Sequence, residues 1–186
     1  MLYAQVHLTL PAWVHGQVDL DRRYPDDESK VALAIGLSRM NVEHASGGPF
    51  GAAVFTGEGR LVSVGVNRVM PHTTSAAHAE MMAWMLAQQR LQRPRLNDDG
   101  SRFVLATSSQ PCCMCYGAAV WAGIDELLIG ARAEDVESLT EFDEGPLPAD
   151  WIGELERRDI AVRRDILREE ARAVLRAYGE GGGDRY

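Results

Sequence analysis

The sequence predicts an α/β protein, a three-layer α/β/α sandwich around a mixed five-stranded sheet. Three observations carry that prediction. Segments of helical and strand period alternate along the chain in the order α-β-β-α-β-α-β-α-β-α. The first two strand segments are separated only by Thr56-Gly57-Glu58-Gly59, a hairpin turn, so they pair antiparallel. The last two strands are joined through a helical crossover, which makes them parallel.

Each element has its own signal. Residues 26–45 read as the first helix: Asp26, Asp27 and Glu28 suit its start, and Val31, Ala34, Ile35 and Leu37 form one apolar stripe. Gly47-Gly48-Pro49 breaks it. Ala52–Phe55 and Leu61–Val66 are the hairpin strands, and residues 68–77 form a polar loop. A second helix runs from Ala77 to Arg90, with Met81, Met82, Met85 and Leu86 as its buried side and as core filler. Trp84 and Trp121 also fall on helical faces and read as core. Arg93-Pro94 through Asp98-Asp99-Gly100 is a surface loop, and Phe103–Ala106 a short strand. Cys112–Ala122 is a third helix, ended by Gly123. Leu127–Ile129 is the next strand, closed by Gly130. Residues 131–149, acidic and with two prolines, read as an irregular loop. Asp150 caps a short helix over 150–158, Ile160–Val162 is a weak strand, and Asp165–Tyr178 is the terminal helix. The expectation is one domain over 1–186, with residues 1–25 an N-terminal extension and 179–186 a Gly-rich flexible tail.

Composition narrows the function classes. No apolar run approaches the roughly 20 residues of a membrane span. Met1 to Pro11 has neither a basic start nor a clear cleavage site, so no signal peptide is expected. Three cysteines, two of them spaced C-x-x-C, suit a metal site in a reducing, cytoplasmic compartment better than a disulfide frame. Net charge is -8 and the pI about 5.1. Nucleic-acid binders need a basic stripe for phosphate contacts. Arg90, Arg93 and Arg95 are too short a cluster, and Asp98 and Asp99 lie beside them. A small-molecule substrate is expected, with no nucleic acid and no membrane.

The chemistry sits in His78-Ala79-Glu80 and, about thirty residues later, in Pro111-Cys112-Cys113-Met114-Cys115. Cys112 and Cys115 stand three apart at a helix start, on one face, where the helix N-terminus favours thiolates. His78 adds an imidazole nitrogen. Three such ligands hold zinc and leave its fourth position to water, as catalytic sites do. Glu80, two residues past His78, turns away from the ligand direction and can carry a proton between that water and a substrate. Cys113 points elsewhere on the helix and reads as a small core residue. His44 and His72 lack partners at useful spacing and stay unassigned.

This pattern resembles the cytidine deaminase-like superfamily and, more narrowly, the bacterial guanine deaminases of that fold. The resemblance covers roughly residues 30–178. It extends through Gly47-Gly48-Pro49-Phe50-Gly51-Ala52, Gly65-Val66-Asn67-Arg68, Ser75-Ala76-Ala77-His78-Ala79-Glu80, Cys115-Tyr116-Gly117-Ala118 and Phe142-Asp143-Glu144-Gly145. It implies zinc on His78, Cys112 and Cys115, and hydrolysis of guanine to xanthine and ammonia. Glu80 would then be the proton carrier, with Glu144 sharing proton transfer or accepting from the base. The resemblance also implies base binding by Asn67, Phe50, Phe142 and Ala79. It implies a homodimer whose C-terminal segment, Gly181-Gly182-Gly183 through Tyr186, closes a neighbouring pocket; a disordered tail is the equal alternative.

The chain departs from those enzymes at two places. Gln110 stands where they usually carry Glu, and Thr140-Glu141 stands where they usually show a single glycine. The residues alone leave open another amino-heterocycle or nucleoside as substrate, a tRNA adenosine, and a zinc module without catalysis.

Overall fold

Alternate residues of the inner strands serve two different cores, and this divides the molecule into three layers. The computed structural model describes residues 4–184. Along them run α1 (Val14–Gln17), α2 (Asp27–Glu43), β1 (Gly51–Thr56), β2 (Leu61–Val66), α3 (Val69–His72), α4 (Ala79–Leu91) and β3 (Phe103–Ser109). Then follow α5 (Cys113–Ala122), β4 (Glu126–Ala131), α6 (Ala133–Thr140), α7 (Trp151–Glu156), β5 (Ala161–Arg163) and α8 (Arg168–Glu180). The sheet order is β2-β1-β3-β4-β5. β1 is antiparallel to β2 and β3, whereas β3, β4 and β5 run parallel. The mixed sheet is as the sequence predicts.

On one face, Ala53, Phe55, Ala106 and Leu128 meet Val31 and Ile35 of α2, Val136 of α6 and Val174 and Leu175 of α8. On the other, Ala52, Val54, Leu105 and Ile129 meet Ala83 and Trp84 of α4, Ala119 of α5 and Leu155 of α7. Strands covered on both sides need apolar residues throughout, which is why β1, β3 and β4 read as continuous apolar runs. Among the described residues no helix is long and apolar enough to cross a membrane.

Helix faces are where the sequence reading needs correction. In α4 the residues turned to the sheet include Ala79, Ala83 and Ala87, with Met82 buried and Met81, Met85 and Leu86 only partly so. The helix lies too close to β2 for larger side chains: a Cβ on Gly65 would stand 2.0 Å from the Ala79 carbonyl oxygen. Trp84 is core, but Trp121 is 79% exposed. Cys115, Ala119 and Ala122 form the inward stripe of α5, and Trp121 lies off that stripe.

Two short helices occupy segments read as loops. α3 falls within 68–77, and α6 within 131–149. α6 is capped by Asp135, whose carboxylate accepts from the Arg132 backbone N–H at 2.9 Å. Residues of the N-terminal extension join the body, with Val14 and Tyr24 buried and Tyr24 N–H donating to Gly59. The start of the tail continues α8, and the Tyr178 hydroxyl donates to the Asp184 carbonyl at 2.6 Å. Tyr186 lies outside the described residues.

Asp135 also accepts hydrogen bonds from Arg168 at 2.7 and 2.9 Å and forms an ion pair with Arg172 at 3.2 Å. Burial raises its pKa, but the Arg168 hydrogen bond, the Arg132 N–H and both guanidinium charges outweigh this and hold it below 3.8. Asp135→Ala removes a cap and the hydrogen-bonded partner of Arg168, while Glu134, Asp165 and Glu169 still pair with the two arginines, so unfolding in urea should show a loss of about 1–2 kcal/mol. A depressed carboxylate stabilises fully above its unfolded pKa of about 3.9 and loses that contribution as pH falls through the folded value. The difference between wild type and variant should therefore shrink below about pH 4.

Candidate active site

The site forms where two helices begin. His78 is the N-cap of α4, which puts Glu80 in its first turn. Cys112 is the N-cap of α5 and Cys115 lies one turn in, directly after β3 and the Gln110-Pro111 link. The extended backbone at His78 and at Cys112 turns each chain sharply into its helix. The packing of α4 on α5 brings the two starts together. His78 Nδ1 stands 3.5 Å from Cys112 Sγ. One donor atom from each of His78, Cys112 and Cys115 lies within 4.8 Å of the other two.

Above this triad opens a cavity of about 220 Å³. Glu80, His78 and Cys112 form its floor side, and Phe50, Asn67, Phe142 and Glu144 its other walls. The Phe50 and Phe142 rings are 5.5 Å apart and tilted. Phe142 is also packed on Tyr178, ring to ring at 6.1 Å, so it serves the core and the cavity together. Asn67 follows β2 directly, and its Oδ1 accepts from Val69 N–H at 3.2 Å and from Gly48 N–H at 3.4 Å. Glu144 reaches the cavity because its own carbonyl accepts from Cys113 N–H at 2.9 Å, which ties the loop after α6 to the start of α5.

Electrostatics here follow from burial. Glu80 is 7% exposed, and desolvation, then the neighbouring Cys112 thiolate, push its pKa up to about 7. Glu144 is pushed up to about 9 by burial, then by Cys112 and Glu80. The Cys115 thiol donates to Cys112 and draws the Cys112 pKa down to about 4, while Cys115 itself is raised by the same bond and by burial. Burial lowers the His78 pKa, but the Cys112 bond and the charges of Glu80 and Cys112 raise it overall.

One imidazole and two thiols form a soft, nearly charge-balancing set for a divalent cation. A cation between them would displace the Cys115 proton and remove the cost of two adjacent thiolates. The donor set therefore fits zinc.

Of the remaining residues singled out in the sequence, Ala79 is fully buried and packs its side chain into the core at the first position of α4, outside the cavity wall. Cys113 is exposed rather than core, and a Cβ on Gly145 would come 2.6 Å from its sulfur. The helix turn that sends Cys112 and Cys115 inward sends Cys113 out. His72 Nε2 lies 2.9 Å from the Thr9 carbonyl, and His44 stacks on Trp13. Val69, Ser75 and Asp143 also line the cavity, as does Gln110. The sequence marked Val69, Ser75 and Asp143 only by nearness to the motifs, and Gln110 as a departure from the related enzymes. Glu141 takes the left-handed conformation at φ 62, where a glycine would sit without strain.

Comparison with known proteins places this arrangement among relatives. The family described as cytidine and deoxycytidylate deaminase zinc-binding region matches residues 25–131. A guanine deaminase of Bacillus subtilis is 37% identical over 108 residues, 58% of this chain and 66% of that protein. A crystal structure of a guanine deaminase from Nitrosomonas europaea superposes with a TM-score of 0.90 at 40% identity, covering 97% of this chain and 99% of that one. NE0047 in complex with 2,6-diaminopurine gives a TM-score of 0.90 at 42% identity, covering 97% of this chain and 95% of that one.

Proposed function

From the premise that the chain belongs to the cytidine and deoxycytidylate deaminase zinc-binding family, we propose that it hydrolyses guanine to xanthine and ammonia. One observation carries the reading: a buried glutamate stands beside a His/Cys/Cys triad at the base of a cavity walled by two phenylalanines and an asparagine. Likeness to guanine deaminases over nearly the whole chain supports the substrate. So does a relative's binding of a purine that carries an amine at C2.

His78, Cys112 and Cys115 would hold zinc. When bound, zinc acts as a Lewis acid that lowers the pKa of water toward about 7. Phe142 or Phe50 stacks on one face of the flat base. Asn67 hydrogen-bonds along its edge. Glu80 takes one proton from the water that attacks C2 and passes it to the adjacent ring nitrogen; it then takes the second proton from the new C2 hydroxyl and gives it to the amine, which leaves as ammonia while the C2 carbonyl forms. Glu144 accepts from the amino and ring N–H groups or shares that transfer. Ala79 contributes backbone at the first turn of α4 rather than side chain. The same reading holds the chain to be one catalytic domain acting as a cytoplasmic homodimer, a compartment supported by its free cysteines.

Ammonia release and xanthine formation test the proposal. Guanine should be turned over faster than adenine, cytosine or guanosine. Asn67→Ala should lower kcat/KM for guanine about 10- to 100-fold, the cost of an unmatched buried hydrogen bond, with zinc content unchanged. Turnover of a nucleoside or a triazine with none of guanine would overturn the substrate.

A further inference from the structure

We infer that Asn41, on the last turn of α2 and outside the cavity, is a positioning residue for base recognition, acting through Asn67. It is fully buried. Its side-chain nitrogen donates to two carbonyls, Gly48 at 2.8 Å and Asn67 at 2.9 Å. Its Oδ1 accepts from the Ser46 hydroxyl at 2.7 Å. The Trp13 indole N–H donates to that hydroxyl at 2.9 Å.

The direction of this chain is set by chemistry. An indole N–H only donates, so Ser46 accepts from Trp13 and spends its one hydrogen on Asn41. Carbonyls only accept, so the amide nitrogen of Asn41 must face Gly48 and Asn67. The two carbonyls belong to the segments that bring Asn67 to the cavity. Gly48 N–H in turn donates to Asn67 Oδ1, which closes the loop of contacts. The approach is close enough to require glycine: a Cβ on Gly47 would stand 1.9 Å from the Asn67 carbonyl oxygen and 2.8 Å from the Asn41 amide nitrogen. The N-terminal extension, α2, the glycine turn and the end of β2 thus meet on one amide. An amide pinned at both ends holds Asn67 to one geometry, and displacing such a residue weakens the contacts it makes with the base. The triad and Glu80 are carried by the starts of α4 and α5, not by the two carbonyls that Asn41 holds.

The inference rests on the proposed role of Asn67 in base binding, and the test separates the two. Asn41→Asp keeps shape and the Ser46 bond but turns lone pairs toward both carbonyls. It should raise KM for guanine about tenfold or more, change kcat less than about threefold, and leave zinc content unchanged. In an Asn67→Ala background the same substitution should add less than about twofold, because its effect passes through Asn67. Trp13→Phe, which drops the outermost N–H and shrinks the ring stacked on His44, should raise KM about two- to fivefold and lose that effect in the same background; it serves if the buried aspartate blocks folding. Additive losses in the double variants, or an unchanged KM, would overturn the positioning role while leaving Asn67 in place. If Asn67→Ala itself has no effect on guanine, the base-binding reading fails instead. Amide hydrogen exchange reads the lock without any substrate: Gly48 and Val69 should exchange faster in Asn41→Asp or Trp13→Phe, and unchanged protection overturns the inference.

Discussion

Glu80→Gln should yield a folded, zinc-loaded protein that deaminates guanine about 100- to 10,000-fold more slowly, the range expected for loss of a positioned acid and base. The substitution is close to isosteric and removes a carboxylate whose charge burial already disfavours. Thermal unfolding should therefore show no loss of stability, and the amide cannot cycle a proton at any pH. Because the residue is not one of the three grouped donors, metal analysis should still return one zinc per chain. Near-normal turnover in that folded, loaded variant would remove Glu80 from the mechanism. A fall in zinc content would place it among the ligands instead.

The second large effect separates two adjacent thiols. Cys112→Ala should abolish stoichiometric zinc after dialysis and guanine turnover with it, whereas Cys113→Ala should keep both. Cys112 Sγ faces His78 Nδ1, while Cys113 is exposed and turned toward Gly145. Bound metal stabilises only a state that can hold it, so added zinc should raise the melting temperature of wild type and Cys113→Ala but not of Cys112→Ala. Zinc loss on changing Cys113 would overturn the ligand assignment.

The chemistry was legible in the sequence because its geometry is local. His78 and Glu80, and Cys112 and Cys115, sit within single helix starts, where spacing alone decides what faces what. The strands were legible because burial on both sides demands unbroken apolar runs. Helix faces were not. In α4 two stripes have helical period, one of methionines and one of alanines, and the nearness of Gly65 rather than hydrophobicity turns the alanines inward. Every residue of α5 is apolar or small, so its sequence carries no contrast to show that Trp121 points out. α6 is hidden by its acidic residues, and its identity depends on Asp135 meeting Arg132, Arg168 and Arg172, two of them over thirty residues away. Asn67 follows β2, whereas Phe142 and Glu144 share the loop after α6, and only resemblance to a family joined these two segments in the sequence.

Gly65 has a meaning beyond packing. It lines no wall of the cavity and donates to no ligand, yet α4 rests its main chain on the strand at this point, with a hypothetical Cβ 2.0 Å from Ala79 oxygen and 2.5 Å from Ala83 nitrogen. Gly51 does the same on the opposite side of the sheet, against Ala34 oxygen at 2.3 Å. The hairpin is thus gripped between two helices like a blade in a vice, with no cushioning layer to absorb change. The elevation of His78 and Glu80 above the sheet is machined by missing carbon atoms. Among the described residues one of the narrowest tolerances lies at a glycine, one layer beneath the reacting groups.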